Sequence, residues 1–323
     1  MPIKNKTFNK IIELLFFGNY FYAFCVVALA IETSLQQNLP LNNIFFYLFI
    51  ASTTIVYYTY SYEGKIHFFN FSKPTITLLP EGYTFNNPRT AWYHHHKKLL
   101  IITQSIFLLL ILLSSLALII FKFKDILSLK LYEWAILGAV PLVAGLYYGP
   151  AFVPFLNLNL RKTGWLKPFV IGFVWAMTVS IYPVMFYEWE QHQHYEPNFL
   201  SLWLFIKNFM YISVLAIMFD IKDYVDDANQ GLKTFVVSAG LKKTIFYIIL
   251  PVTLIGLLSF TIFAYFSQFS WAQYFFNLIP YILLLYVAYH LKKRKSIFYY
   301  LAVIDGLMLL KGICGIIAAL YFS

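Results

Sequence analysis

Residues 199–219 read FLSLWLFIKNFMYISVLAIMF, and residues 220–234, which follow without a break, read DIKDYVDDANQGLKT. The first stretch is dominated by large apolar side chains and holds a single formal charge, Lys207. Wound as an α-helix at about 1.5 Å per residue it is roughly 30 Å long, the thickness of a bilayer's hydrocarbon core. No water reaches an unpaired amide there, so such a run must close its own backbone hydrogen bonds as a helix. Working outward, comparable runs occupy 11–31, 43–62, 99–121, 131–149, 168–187, 244–266, 271–289 and 298–321. Across the 323 residues 60% are apolar, 21% aromatic and 12% charged, whereas soluble domains carry about 25% charged residues. The expected fold is all-α: a single integral membrane domain over 1–323, built from about nine transmembrane helices with the lipid bilayer as its solvent.

The cations alternate between the two ends of these runs. Segments 1–10, 63–98, 150–167, 220–243 and 290–297 hold 3, 5, 3, 4 and 4 Lys or Arg, whereas the intervening loops hold only Lys122, Lys124 and Lys130. Basic residues stay on the cytoplasmic side, so the expected topology is a multi-pass protein of the cell membrane with a cytoplasmic amino terminus and the carboxyl terminus opposite. The net charge of +10 then follows from topology and anionic headgroups, and nucleic acid is not an expected partner. Cys25 and Cys314 both fall inside expected spans, which suggests packing and neither a disulfide framework nor a thiolate metal site. The first apolar stretch is long and lacks a small-residue cleavage pattern, so it reads as a retained span and not a signal peptide.

The cytoplasmic segments are the longer and more polar ones, so chemistry is expected on that face. Segment 63–98 carries Lys73-Pro74, Pro80-Glu81-Gly82 and Asn86-Asn87-Pro88, turn formers that fit a lid or a short surface helix. The strongest local feature is the acidic burst after 219. At 3.6 residues per turn Asp220, Asp223 and Asp227 fall at about 0°, 300° and 340° on one helix face, which Asp226 does not share. Three carboxylates so placed repel one another unless cations lie between them, and hard oxygen donors suit magnesium bridging to phosphate oxygens. The plain alternative is a solvated acidic helix end. Against it, only 14 Asp or Glu exist in the chain and four of them crowd into this stretch, at the mouth of a membrane helix, where a charge is costly and function is the default hypothesis.

With these residues in view, the chain resembles the UbiA superfamily of intramembrane aromatic and lipid prenyltransferases. The family's second aspartate-rich motif, D-x-x-D-x-x-x-D followed by x-x-x-G-x-x-T and a Val/Ala-rich turn, is matched by Asp220, Asp223, Asp227, Gly231, Thr234 and Val236-Val-Ser-Ala-Gly240. Tyr147-Tyr148-Gly-Pro, Leu160-Arg161, Trp165-Leu166-Lys167 and Trp175-Ala176 resemble the family's fourth and fifth helices and the basic loop between them. The resemblance implies a UbiA-like bundle and a Mg2+-dependent transfer of a prenyl group from a polyprenyl diphosphate to a hydrophobic aromatic or lipid acceptor. It implies catalytic and metal-binding roles for Asp220, Asp223 and Asp227. In the family the basic loop lies near the diphosphate, so Arg161 and Lys167 are candidate substrate-binding residues, and Lys233 is a similar case.

One departure is plain. The family's earlier motif, N-D-x-x-D-x-x-x-D or a close variant, corresponds here to Val56-Tyr-Tyr58-Thr-Tyr60-Ser-Tyr62-Glu63-Gly-Lys65, with no Asp and no Asn. Tyr58 and Tyr62 are candidate hydrogen-bond donors to phosphate and Glu63 is the one carboxylate of the stretch; an interfacial aromatic belt is the competing reading. A non-catalytic isoprenoid-binding relative therefore stays open. So does a transporter, because Lys207, Asp305 and Lys311 lie inside expected spans, where a charge usually has a partner. Asp305 and Lys311 are poorly placed to pair with each other, so Asp305 is expected to meet a neighbouring helix. Adjacent His94-His95-His96 point different ways on a helix and read as a solvated run. His192 and His194, between Glu188 and Glu196, read as a plain polar loop in preference to a weak metal site.

Overall fold

The computed structural model describes residues 6–63, 88–148, 160–292 and 295–322, with the backbone alone at 6–9, 61–63, 124 and 148. The described chain is helical and holds no strand. Its helices are α1 (Lys6–Phe17), α2 (Tyr20–Gln36), α3 (Ile44–Glu63), α4 (Pro88–His95), α5 (Lys97–Phe121), α6 (Phe123–Leu127) and α7 (Leu131–Tyr148). After the second gap come α8 (Lys167–Glu190), α9 (Phe199–Asn229), α10 (Phe235–Ala239), α11 (Leu241–Phe266), α12 (Trp271–His290) and α13 (Ile297–Tyr321). Six of them, α5, α8, α9, α11, α12 and α13, are long and apolar enough to cross a bilayer. A seventh crossing arises if Lys10–Phe17 and Tyr20–Gln36 count as one; the shorter apolar helices Ile44–Tyr60 and Leu131–Tyr147 coincide with the two remaining expected runs but fall short of that length, so six or seven crossings among the described residues stand against the expected nine.

The first expected span, 11–31, is not one straight rod: α1 and α2 meet at 60°. The break is held from outside the span. Asn19 takes a left-handed φ of 66° and is wholly buried, and its Nδ2 donates to Thr59 Oγ1 at 3.0 Å and to the Tyr93 hydroxyl at 2.9 Å. Tyr93 donates to the Phe17 carbonyl, which the bend frees from its helix, at 2.9 Å. Arg89 Nη2 donates to Asn19 Oδ1 and to the same carbonyl. Backbone groups released inside lipid must find such partners, so α4 staples the corner.

The core lies where α9 packs between α8 and α11, and where α2 packs between α3 and α13; Leu29, Phe46, Met185, Leu204, Val214 and Phe260 are fully buried there. On the outside, α5 exposes Leu108, Leu109, Leu112 and Leu113. A continuous exposed apolar face of this kind belongs against hydrocarbon.

Buried charge is confined and paired. Glu32 receives Lys207 Nζ at 3.0 Å and Lys311 Nζ at 2.8 and 2.9 Å, joining α2, α9 and α13. Lys207 also donates to Gln36 Oε1 at 2.7 Å, and Gln36 Nε2 to Asn277 Oδ1 at 2.9 Å. Asp305 accepts from the Tyr22 hydroxyl at 2.8 Å, the neighbouring-helix partner expected for it. Cys25 and Cys314 are buried free thiols.

Candidate functional site

The acidic burst forms the last turns of α9, and what stops that helix is local. Gly231 has φ 69°, the Leu232 amide bonds the Asp227 carbonyl at 2.9 Å and the Gly231 amide bonds the Ala228 carbonyl at 3.1 Å. That pair of bonds around a left-handed glycine is a Schellman stop. Three residues on, the hydroxyl of Thr234 accepts from the Val237 amide at 3.4 Å and caps α10. In the pattern D-x-x-D-x-x-x-D-x-x-x-G-x-x-T the glycine thus ends one helix and the threonine begins the next, while the aspartates carry the charge.

The aspartates do not share one environment. Asp220 is 1% exposed and Asp227 6% exposed, whereas Asp226 lies outward in solvent. Asp223 keeps 36% of its side chain exposed, 2.7 Å from the adjacent Lys222 ammonium. The partner of the buried pair comes from α8. Lys167 Nζ donates to Asp220 Oδ1 at 2.6 Å and lies 3.8 Å from Asp227 Oδ2. Asp220 Oδ2 and Asp227 Oδ2 are buried and accept no hydrogen bond from the described residues.

Lys167 reaches this position because α8 starts there, with Pro168 in its first turn, where a missing amide costs nothing, and because α8 lies unusually close to α9. A Cβ at Gly172 would run into Ser213 Oγ and come within 3.0 Å of the Phe209 carbonyl. Gly164, just upstream, gives a third contact: a Cβ there would come within 2.6 Å of the Thr234 amide. The basic loop is thereby seated on the turn that follows the aspartates. Neither glycine stood out in sequence, because close approach of two backbones leaves no local pattern.

The other candidates are spread around this pair. Arg161 is exposed on a 3₁₀ turn, Leu160–Lys162, within electrostatic reach of Asp227. Lys233 is exposed, its backbone under Gly164. Tyr58 stacks on Tyr22 at 4.3 Å and its hydroxyl accepts from Trp175 Nε1 at 2.7 Å. Trp175 is eight residues beyond Lys167 on α8, about 12 Å deeper along the helix. The side chains of Tyr62 and Glu63, and segment 64–87 with its expected lid, lie outside the described residues.

Among the described residues no group of three or more His, Cys, Asp or Glu is gathered to hold a metal ion. Two hard carboxylates with unshared buried oxygens nevertheless fit a magnesium ion by donor chemistry, and among the described residues Lys167 is the cation that lies between them. Away from this end, His94, His95 and His96 are exposed. His192 Nδ1 lies 2.7 Å from Asp125 and His194 Nδ1 2.9 Å from Glu133. Glu32, which pairs with two lysines, had not been singled out in sequence, sitting one residue past the expected first span.

Comparison with known proteins follows the same lines. The sequence model of the UbiA prenyltransferase family matches residues 87–298. A solved structure of digeranylgeranylglyceryl phosphate synthase superposes with a TM-score of 0.51 at 16% identity, covering 95% of this chain and 97% of the other, a likeness of fold over nearly the whole length. No curated protein matches the chain.

Proposed function

The chain belongs to the UbiA prenyltransferase family, and from that premise we propose that it transfers a prenyl group from a polyprenyl diphosphate to a hydrophobic aromatic or lipid acceptor within the cell membrane. The observation that carries the proposal is the buried pair Asp220 and Asp227, held about the Lys167 ammonium at the end of a membrane helix. Burying two carboxylates there is expensive unless they serve a ligand or a switch. The placement of basic residues supports a cytoplasmic amino terminus and, with it, a cytoplasmic position for this pair, where a water-soluble diphosphate head and a lipid-soluble tail would both be within reach.

In this reading Asp220 and Asp227, with Asp223 at the rim, hold magnesium. The bound ion supplies neutralisation of the leaving diphosphate as the allylic carbon–oxygen bond breaks. Lys167 binds phosphate oxygen, joined from the rim by Arg161, whose planar fork suits two parallel bonds, and by Lys233. Tyr22, Tyr58 and Trp175 pack into one aromatic cluster, with Trp175 about 12 Å along α8 from Lys167, and in this reading such rings help to stabilise an allylic cation. The test is incorporation of radiolabelled prenyl diphosphate by the purified protein in lipid. Asp220→Asn and Asp227→Asn are each expected to lower turnover by about a hundredfold or more, the scale of losing a charge-stabilising group in an active site, measured at a temperature where each variant is folded. Turnover that survives both substitutions counts against the proposal.

A second reading has its own support. The stretch 56–65 lacks Asp and Asn, and no metal-type cluster is assembled among the described residues. A non-catalytic isoprenoid-binding relative would bind prenyl diphosphate with no release of diphosphate across a panel of acceptors. The transporter reading loses its motive, because Lys207 and Lys311 are bonded to Glu32 while Asp305 is bonded to Tyr22, two networks in place of one relay.

A further inference from the structure

Lys167 is the residue whose position the proposed chemistry does not by itself require. A side chain that only waits for phosphate has no need to lie 2.6 Å from one carboxylate and 3.8 Å from another. Its ammonium takes up the space between the two side chains that would ligate a cation. Each of those carboxylates keeps one buried oxygen, Asp220 Oδ2 and Asp227 Oδ2, without a hydrogen-bond donor among the described residues. The ammonium therefore satisfies the pair by half, one positive charge facing two negative ones.

We propose that Lys167 is an exchangeable counter-ion: its ammonium and a divalent cation exclude each other on Asp220 and Asp227, and the lysine moves to a phosphate oxygen when cation and diphosphate arrive together. The inference rests on the metal-holding role given above to the aspartates, and deepens it by making loading of that site ordered. A divalent ion added beside the ammonium would put three positive charges against the two buried carboxylates, Asp223 at the rim being paired with Lys222, and like charges at such separations repel strongly where water is scarce. Departure of the ammonium removes that repulsion, and it must land on an anion to leave water at low cost. The diphosphate is that anion. Lys167 is built for the move. It is the first residue of α8, its side chain is 16% exposed, and its four-carbon stem is flexible where an arginine fork is rigid. By contrast, the backbone beneath it is fixed by the Gly172 contact with α9, so only the side chain need travel.

The experiment is Mn2+ binding to the full-length protein in nanodiscs, read from the electron paramagnetic resonance signal of free Mn2+, with and without inorganic pyrophosphate, each against empty nanodiscs at the same pyrophosphate concentration because pyrophosphate itself chelates Mn2+. Wild type should bind Mn2+ weakly alone and more tightly with pyrophosphate. Lys167→Met should bind Mn2+ alone roughly tenfold more tightly than wild type, the effect of removing one nearby like charge, and should gain less from pyrophosphate. Lys167→Arg, which keeps the charge, should resemble wild type, and Lys167→Gln serves the same comparison if the methionine variant does not fold. Equal Mn2+ affinity of wild type and the neutral variants without pyrophosphate overturns the exchange while leaving the aspartates' role intact. If Asp220→Asn in the Lys167→Met background leaves Mn2+ binding unchanged, the aspartates hold no metal, and the underlying reading falls with it.

Discussion

Glu32 shows what a single residue does when charges are buried. It is 1% exposed and answers two lysines, one on α9 and one on α13, so its removal would leave two ammonium groups inside the bundle without an anion. Glu32→Gln is expected to destabilise the protein by about 3–5 kcal/mol, the range for breaking a buried pair from one side, read as a fall in the unfolding midpoint in detergent. The triple change Glu32→Leu, Lys207→Met and Lys311→Met should recover most of that loss, because an apolar replacement removes the desolvation cost along with the attraction. A triple variant no more stable than Glu32→Gln would show that shape, and not charge, is what the site requires. Both lysines stood out in the sequence as charges within spans needing partners. Their partner did not, because a carboxylate at the edge of an apolar run looks like any loop residue until folding brings three helices together.

At the scale of the helix, the motif after 219 is a mixture of charge and punctuation. Periodicity puts Asp220, Asp223 and Asp227 on one helix face; of the three only Asp220 and Asp227 are buried, while Asp223 keeps 36% of its side chain exposed. Their unequal burial was not legible: it depends on α8 lying across that face and on Asp223 tilting toward the rim. Gly231 stops α9 and Thr234 starts α10, so their substitution should act through stability and not through charge. Gly231→Ala forces a Cβ into a left-handed backbone, a cost of about 1–2 kcal/mol. Thr234→Ala removes a cap, a cost of about 1 kcal/mol. Thermal unfolding should show both losses, while pyrophosphate affinity at a temperature where each variant is folded should remain within a few-fold of wild type. A glycine or threonine variant that unfolds like wild type yet loses pyrophosphate would assign that residue to the ligand instead.

Across the whole molecule, the apolar runs in sequence coincide with apolar helices among the described residues, six or seven of them long enough to cross a bilayer where nine were expected, because hydrocarbon leaves the backbone so few choices. The departure from that pattern is the corner between α1 and α2, where Asn19, Tyr93 and Arg89 meet from segments distant in sequence, and no local reading of 11–31 contains that information. The same is true of the contact between α8 and α9. Gly172→Ala should cost about 1–3 kcal/mol as an overpacked interface, and a double-mutant cycle on the unfolding midpoint should find the coupling between Lys167 and Asp220 reduced in its presence; unchanged coupling would mean that the side chains adjust for themselves. The bare Cα at 172 works as the thin leaf of a caliper whose jaws close on opposite charges five residues along one rod and seven along the other. A methyl inserted there is a shim, and it would spread the jaws without touching either charge. Loss of function in such a variant would mimic the loss of an acid or a base, although every ionisable group remained in the chain.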